Sequence, residues 1–339
     1  MKLTKCPENP ILTANPAAVW ESLCVLNPAV VYDNARGEFA MLYRAAGNDV
    51  GHCIRLGLAT SKDGIHFTRA SDKPALSPDP NGADSGCIED PRLVEMGGWY
   101  YMTYASRAYA PGQYWRSDWE PYNPTLEYGP AIVNQNLSAT HLAISKDLRE
   151  WKKLGRISDS RVDDRDVILF PEKAGDKFAR LSRPMTWYGK GYPCRHASIW
   201  IAYSDDLMEW GKPEFLMQGR EWWEDLKIGG GCPPIKTDRG WFHLYHGVAE
   251  KDGGYRVGAV LLDLENPSKI LARTKDFLME PEFDFEKNGY YNGCVFPTGN
   301  VVKDGALYVY YGAADKCVCL ATADFGRLTA YLADECRVK

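Results

Sequence analysis

The chain has little of what marks a metalloenzyme, a nucleotide binder, a nucleic-acid partner or a membrane protein. Its 339 residues include only six histidines. His243 and His246 lie three apart in a strand-like run, a spacing that puts them on opposite faces. No His-Glu-x-x-His occurs, so no metal is expected. Gly229-Gly230-Gly231 lacks the Lys-Ser/Thr of a phosphate-binding loop and the strand-Gly-helix context of a dinucleotide fingerprint. No serine or cysteine sits in a nucleophile elbow. Basic residues do not exceed acidic ones: the net charge is −5, which argues against nucleic acid. Met1 to Glu8 has no apolar core, and no stretch approaches the roughly 18 apolar residues of a span. Neither a signal peptide nor a membrane partner is expected, and the expected location is cytoplasmic. The ten cysteines show no zinc-type pairing, and Cys317 and Cys319 read as core thiols. Reduced thiols are expected throughout.

Helical periodicity is nearly absent too, whereas strand patterning recurs. Hydrophobic residues make up 45% and charged ones 25%, an ordinary globular composition. Five segments share one layout: a proline near a strand start, a turn, then a second strand ending in Tyr or a polar residue. They begin at Asn27-Pro28, Asp90-Pro91, Phe170-Pro171, Cys232-Pro233 and Phe296-Pro297. Their second strands close on Tyr43-Arg44, Thr103-Tyr104, Ser182-Arg183, Tyr245-His246 and Tyr311-Gly312. The prolines are 63, 80, 62 and 64 residues apart. Gly37, Gly97-Gly98, Gly175, Gly240 and Gly305 supply the turns. A third strand follows each pair, most alike in the runs ending at His66-Phe67, Trp151 and Trp210. A self-similar all-β unit used five times predicts one five-bladed β-propeller over residues 1–339. A pair of β-sandwiches explains the alternation but not five matching prolines.

The long spacing of 80 places an insertion at about 109–130, rich in rings: Tyr109, Tyr114, Trp115, Trp119, Tyr122 and Tyr128. Long loops of this kind are usually lids or binding loops, and six exposed rings would be a liability. A lid or subsite is expected.

The organising stretch is Gly86-Cys87-Ile88-Glu89-Asp90-Pro91-Arg92. Taken alone, Asp before Pro commonly starts a turn and does no chemistry. Proline is tolerated at the first residue of a strand, so Pro91 is expected to open one and hold Asp90 at its mouth. In a propeller blade the first strand runs along the axis and the second returns antiparallel. Starts of first strands and ends of second strands therefore meet on one face. That brings together Asn27, Glu89, Asp90, Arg165 and Lys227 from the starts, and Arg44, Tyr104, Arg183 and His246 from the ends. Asp315 lies just past the fifth pair. Arg165, Arg183, Lys227 and His246 form a cationic cluster inside an acidic protein. Such charges repel unless an anion sits among them, and arginine suits phosphate oxygens. Singly, Arg183 reads as an ion-pair residue and His246 as a half-buried histidine.

These motifs together resemble glycoside hydrolase family 130, the mannoside phosphorylases. The resemblance is carried by Gly86–Arg92, Leu169-Phe170-Pro171-Glu172-Lys173, Lys227–Ile235, Leu244-Tyr245-His246-Gly247, Gly258–Pro267 and Val309–Asp315. It runs from about Asn27 to Ala323. It implies a five-bladed propeller, inverting phosphorolysis, Asp90 as catalytic acid, and Arg165, Arg183, Lys227 and His246 as phosphate-binding. Some family members are hydrolases lacking the basic set, which is complete here.

The expected reaction is attack by phosphate on the anomeric carbon of a β-mannoside, with Asp90 protonating the departing oxygen directly or through a sugar hydroxyl. An inverting glycosidase needs a second carboxylate to activate water, whereas phosphate is already an anionic nucleophile. The products would be α-mannose 1-phosphate and a shortened sugar, with β-1,2 linkages favoured over β-1,4. Asn27, Arg44, Tyr104 and Asp315 are expected to hold mannosyl hydroxyls. Glu89 orients Arg92 or a sugar, or forms a structural ion pair. Inorganic phosphate is the co-substrate, with no cofactor; a homo-oligomer is left open. An inverting β-mannosidase and a non-catalytic sugar-binding propeller are the alternatives.

Overall fold

A computed structural model describes residues 1–118, 120 and 123–338. Five antiparallel sheets form a ring, each running from the axis outward. Blade 1 comprises Cys24–Asp33, Glu38–Ala46, Arg55–Ser61 and Thr68–Arg69. Blade 2 comprises Cys87–Met96, Trp99–Arg107, Ala139–Ser145 and Lys152–Arg156, and blade 3 Asp164–Leu169, Phe178–Pro184, Ile199–Ser204 and Glu214–Met217. In blade 4 the first strand is broken into Lys227–Gly230 and Ile235–Thr237, both paired with Gly240–Val248. Tyr255–Leu262 and Ile270–Arg273 complete that sheet. Blade 5 holds Val295–Lys303, Ala306–Ala313 and Cys317–Asp324, and its outermost strand is the N-terminal Thr4–Lys5. The two ends of the chain thus share one sheet, which closes the ring.

The core lies between blades. Strand side chains alternate, so neighbouring residues on one strand serve opposite interfaces. Leu93 packs towards blade 1 with Leu42 and Leu58, while Val94 packs towards blade 3 with Val167 and Leu169. Trp241 faces blade 3 with Ile201, and Phe242 faces blade 5 with Val309. Both faces of every sheet are covered, which is why the inner strands read as nearly continuous apolar runs. The C-terminal helix, Phe325–Glu335, is capped by the Asp324 carboxylate accepting from the Arg327 amide, and buries Leu328 and Leu332 against blades 4 and 5. Among the described residues no helix is long and apolar enough to cross a membrane.

The prolines do not stand where strands start. Pro91 is the fifth residue of Cys87–Met96, and the pairing register shifts there, between Glu89 and Arg92. Pro28 sits in the same kind of shift, between Leu26 and Ala29. A bulge leaves the extra residue unpaired, so a missing N–H costs nothing. Blade 3 has its shift between Arg165 and Ile168, at Asp166-Val167. The expected third proline, Pro171, lies beyond the far end of that first strand.

A second repeat holds the blades internally. A second-strand tyrosine faces the break in the first strand, and its hydroxyl reaches a buried carboxylate from the loop entering the blade. Tyr43 donates to Glu21 at 2.9 Å, Tyr104 to Asp84 at 3.1 Å and Tyr311 to Glu286 at 2.8 Å. A cation from the outermost strand completes each set: Arg69 on Glu21, Lys153 on Asp84 and Lys5 on Glu286. In blade 4, Arg273 bonds both the Tyr245 hydroxyl (3.0 Å) and Glu224 (2.8 Å). Glycine on the third strand makes room for the ring, since a Cβ at Gly57 would fall 2.2 Å from Tyr43. Blade 3 carries Ser182 at this position and has no such set.

Candidate active site

The three register shifts put one polar residue each at the axis. Asn27, Asp90 and Asp166 have φ of 44°, 51° and 51°. This left-handed region is costly for most side chains but is tolerated by Asn and Asp, which explains the residue types. The second strands supply Arg44 and Arg183 beside them, and the start of the first strand of blade 4 supplies Lys227. These groups line a cavity of about 480 Å³.

Asp90 accepts hydrogen bonds from Asn27 Nδ2 (2.8 Å) and Arg44 Nη1 (2.9 Å). Arg44 also pairs with Glu89 at 2.8 Å. Burial pushes the Asp90 carboxyl up, but the Arg44 and Arg92 charges and those two hydrogen bonds outweigh it and hold Asp90 below the usual carboxylate range. Asp315 behaves oppositely. Burial raises it to about 6, against the pull of Arg44 and with the help of the Asp90 and Glu89 charges. Arg92 is buried at the axis, where it donates to the Gly231 carbonyl of blade 4 and the Asp90 carbonyl of its own strand. Glu89 therefore pairs with Arg44 rather than Arg92.

The cations are less naked than the sequence implied. Arg165 is held edge-on by Asp163 at 2.8 and 2.9 Å, and Arg183 Nε donates to Asp166 at 2.7 Å. Each carboxylate takes the Nε edge, which fixes the plane of the guanidinium and leaves other N–H groups for a ligand. Among the described residues, Lys227 has no carboxylate in ion-pair distance; its ammonium lies 5.2 Å from the Tyr255 ring centre. Burial and the Arg183 charge lower it to about 8. The run Asp163-Asp164-Arg165-Asp166 was the available sequence signal for these counter-charges.

Nine of the ten expected residues line the cavity: Asn27, Arg44, Glu89, Asp90, Tyr104, Arg165, Arg183, Lys227 and Asp315. Two are placed differently from the rest. His246 does not line it. Its ring is fully buried, stacked on Tyr255 (5.1 Å) and edge-on to Phe296 (4.8 Å), with Nε2 3.8 Å from Asp166. Burial lowers it to about 3, so it is a neutral group behind the cation cluster. Tyr104 lines the cavity with its ring only, since its hydroxyl is committed to Asp84.

Pro111, Tyr114 and Asn123 of the insertion line the cavity. Gly112 donates to the Gly51 carbonyl and Gln113 to the Asp49 carbonyl. Trp115 packs on His52 (4.6 Å) and Tyr290 (4.8 Å), and the Tyr114 hydroxyl reaches Asp315 at 3.4 Å. Tyr128 instead projects into solvent. Trp119 and Tyr122 lie outside the described residues. Sequence reasoning missed Arg107, Asp166 and Tyr255, which also line the cavity.

Comparison with known proteins agrees with this fold. A family model described as beta-1,4-mannooligosaccharide phosphorylase matches residues 5–333. The chain is 39% identical to a 1,2-beta-oligomannan phosphorylase of Thermoanaerobacter sp. (strain X514), over 95% of this chain and 97% of that one. It is 33% identical to a beta-1,2-mannobiose phosphorylase of the same organism, again over 95% and 97%. A solved beta-1,2-mannobiose phosphorylase from Listeria innocua, in complex with beta-1,2-mannobiose, superposes with a TM-score of 0.77 at 28% identity, covering 98% of this chain and 99% of that one.

Proposed function

Because this chain belongs to glycoside hydrolase family 130, we propose that it cleaves β-linked mannosides with inorganic phosphate, releasing α-D-mannose 1-phosphate and a shortened sugar. The two most similar relatives named above are β-1,2 enzymes, whereas the family model carries a β-1,4 name. We take β-1,2-linked manno-oligosaccharides as the substrate. The observation that carries the reading is Lys227, which among the described residues has no carboxylate in ion-pair distance and shares one cavity with Arg165, Arg183 and Asp90.

Phosphate sits among Arg165, Arg183 and Lys227, with His246 buried behind Asp166 as a neutral support and not part of the wall. A phosphate oxygen forms the new bond to the anomeric carbon as the bond to the leaving oxygen breaks on the opposite face. Asp90 gives that oxygen its proton, directly or through a sugar hydroxyl, and is reprotonated from water after product leaves. In the empty pocket Arg44 and Arg92 keep Asp90 ionised. Bound phosphate adds negative charge to the cavity and lifts the carboxyl towards the protonated form the step requires. Asn27, Arg44 and Asp315 hold the mannosyl hydroxyls, and Glu89 fixes Arg44. No cofactor enters, and the ten free thiols suit a cytoplasmic setting.

Incubation with β-1,2- and β-1,4-mannobiose tests the reading. Mannose 1-phosphate should form from the β-1,2 sugar only when phosphate is present. Equal cleavage without phosphate would make the protein a hydrolase.

A further inference from the structure

A second cavity, of about 620 Å³, opens between blades 3 and 4 and shares one wall with the first. The shared residue is Lys227. Its wall also holds Met185, whose sulfur is touched by Arg183 Nη1. Two members of the cation cluster therefore adjoin both cavities.

The chemistry of this second wall is anion-seeking. Arg195 and Arg220 line it, and among the described residues neither guanidinium has a carboxylate in ion-pair distance. Against these guanidiniums and the Lys227 ammonium stand two carboxylates, Glu250 and Asp225, the latter accepting from the Glu250 amide at 2.7 Å, so the wall keeps a net positive charge. Arg195, Arg220 and Lys227, none with a carboxylate in ion-pair distance among the described residues, line this one cavity, and Lys227 also belongs to the cluster.

Inversion adds a geometric demand. Nucleophile and leaving group must lie on opposite sides of the anomeric carbon, so a mannoside seated by Asp90 lies between that acid and the cation cluster, within the main cavity. Resting on the phosphorolytic reading above, we propose that the cavity behind Lys227 is a side entrance that collects inorganic phosphate and delivers it to Arg165, Arg183 and Lys227 while the mannoside occupies the main mouth. Cations along a cleft raise the local concentration and arrival rate of an anion. The contribution falls as salt screens the exposed pair.

The test is a charge reversal at Arg195 and Arg220 together, neither of which makes a side-chain hydrogen bond or touches the mannoside site. The R195E/R220E variant should raise KM for phosphate by about three- to tenfold. Its kcat and its KM for mannoside should stay at wild-type values, and the salt dependence of KM for phosphate should flatten. Leu226→Trp, at an exposed position on the rim, should raise the same constant by narrowing the opening without changing charge. In the reverse direction, an equal rise in KM for α-mannose 1-phosphate would add the sugar phosphate to the traffic through this entrance. Unchanged phosphate constants in both variants of a phosphate-dependent enzyme would overturn the side entrance. Phosphate-independent cleavage by the wild type would instead overturn the phosphorolytic reading itself.

Discussion

Asn27 and Asp90 are the same position of neighbouring blades, and their side chains are joined by a 2.8 Å hydrogen bond. Each precedes a proline, each adopts a positive φ, and each sits in a register shift that turns its side chain to the axis. The repeat unit has thus been used twice for two purposes, an amide that donates and a carboxylate that accepts.

Asp90→Asn is the direct test of the acid. Asparagine tolerates the left-handed backbone, so the blade should stay intact. Loss of a positioned proton donor should lower kcat by roughly 10²–10⁴-fold. Calorimetric binding of phosphate should persist, and the thermal midpoint should stay near that of the wild type. Wild-type turnover would remove Asp90 from the mechanism.

Asn27→Asp places a second carboxylate within hydrogen-bond distance of the first. Two carboxylates so close cannot both ionise freely, and one is driven upward. Asp90 is held low in part by the Asn27 amide. Replacing that donor by a negative charge should keep Asp90 protonated to higher pH. The pH–rate profile should move to the alkaline side, and titration of kcat against pH reads it.

Lys227 sets an expected alkaline limb. Its ammonium is lowered to about 8 by burial and by Arg183. It is charged below that pH and neutral above, so kcat/KM for phosphate should fall as pH rises through about 8. The kcat profile, which reports the complex, should fall later, because bound phosphate stabilises the cation. Lys227→Arg keeps its charge at all accessible pH and should lose the limb, at a lower absolute rate because the fork does not replace a point charge.

How much of this could be read from residues alone depends on whether chemistry or backbone announced it. Five β units and their ring followed from turn glycines and paired strands, and strand ends alone brought nine side chains to the cavity. The bulges did not show. Proline marks them at Pro28 and Pro91, but at Val167 nothing does, and Pro171 drew attention to the wrong end of the strand. His246 obeyed the same strand-end rule as Arg44 and Arg183 but is overlaid by Tyr255, a residue from the next strand. The counter-charges Asp163 and Asp166 were adjacent to Arg165 in sequence, yet only the fold shows that they orient guanidiniums. Tyr104, closing a second strand, looked like a sugar ligand, and the carboxylate that claims its hydroxyl, Asp84, comes from a loop 20 residues away. Tyr104→Phe separates these roles. It should leave KM for mannoside unchanged and cost about 0.5–1.5 kcal/mol of stability in chemical denaturation.

The strongest dependence of the fold on one side chain should lie where the ring closes. The N-terminal strand pairs with Cys317–Asp324 at Thr4 and Lys5, and the segment after it continues the latch through the Cys6 amide on the Leu320 carbonyl, the Asn9 side chain on Leu320 and a bridge from Leu12 to Val318. Lys5 strengthens it through its buried ammonium, which pairs with Glu286 at 2.7 Å and donates to the Glu280 carbonyl at 2.6 Å. The other Glu286 oxygen takes the Tyr311 hydroxyl from the neighbouring strand. One carboxylate therefore ties the N-terminal strand to the second strand of the same blade. Glu286→Leu leaves the buried Lys5 ammonium with the exposed Glu282 carboxylate, 3.4 Å away, in place of its buried partner, and breaking a buried pair typically costs about 3–5 kcal/mol. The loss should appear first as opening of the latch: faster amide exchange at Ala321 and Thr322, which face Lys5 and Thr4. A lowered denaturant midpoint should follow. Lys5→Met removes both the charge and the need for its partner's charge at that end of the pair, but strands Glu286. The double variant K5M/E286L should therefore be more stable than the sum of the two single losses predicts. Simple additivity would show that the closure depends on the ladder alone.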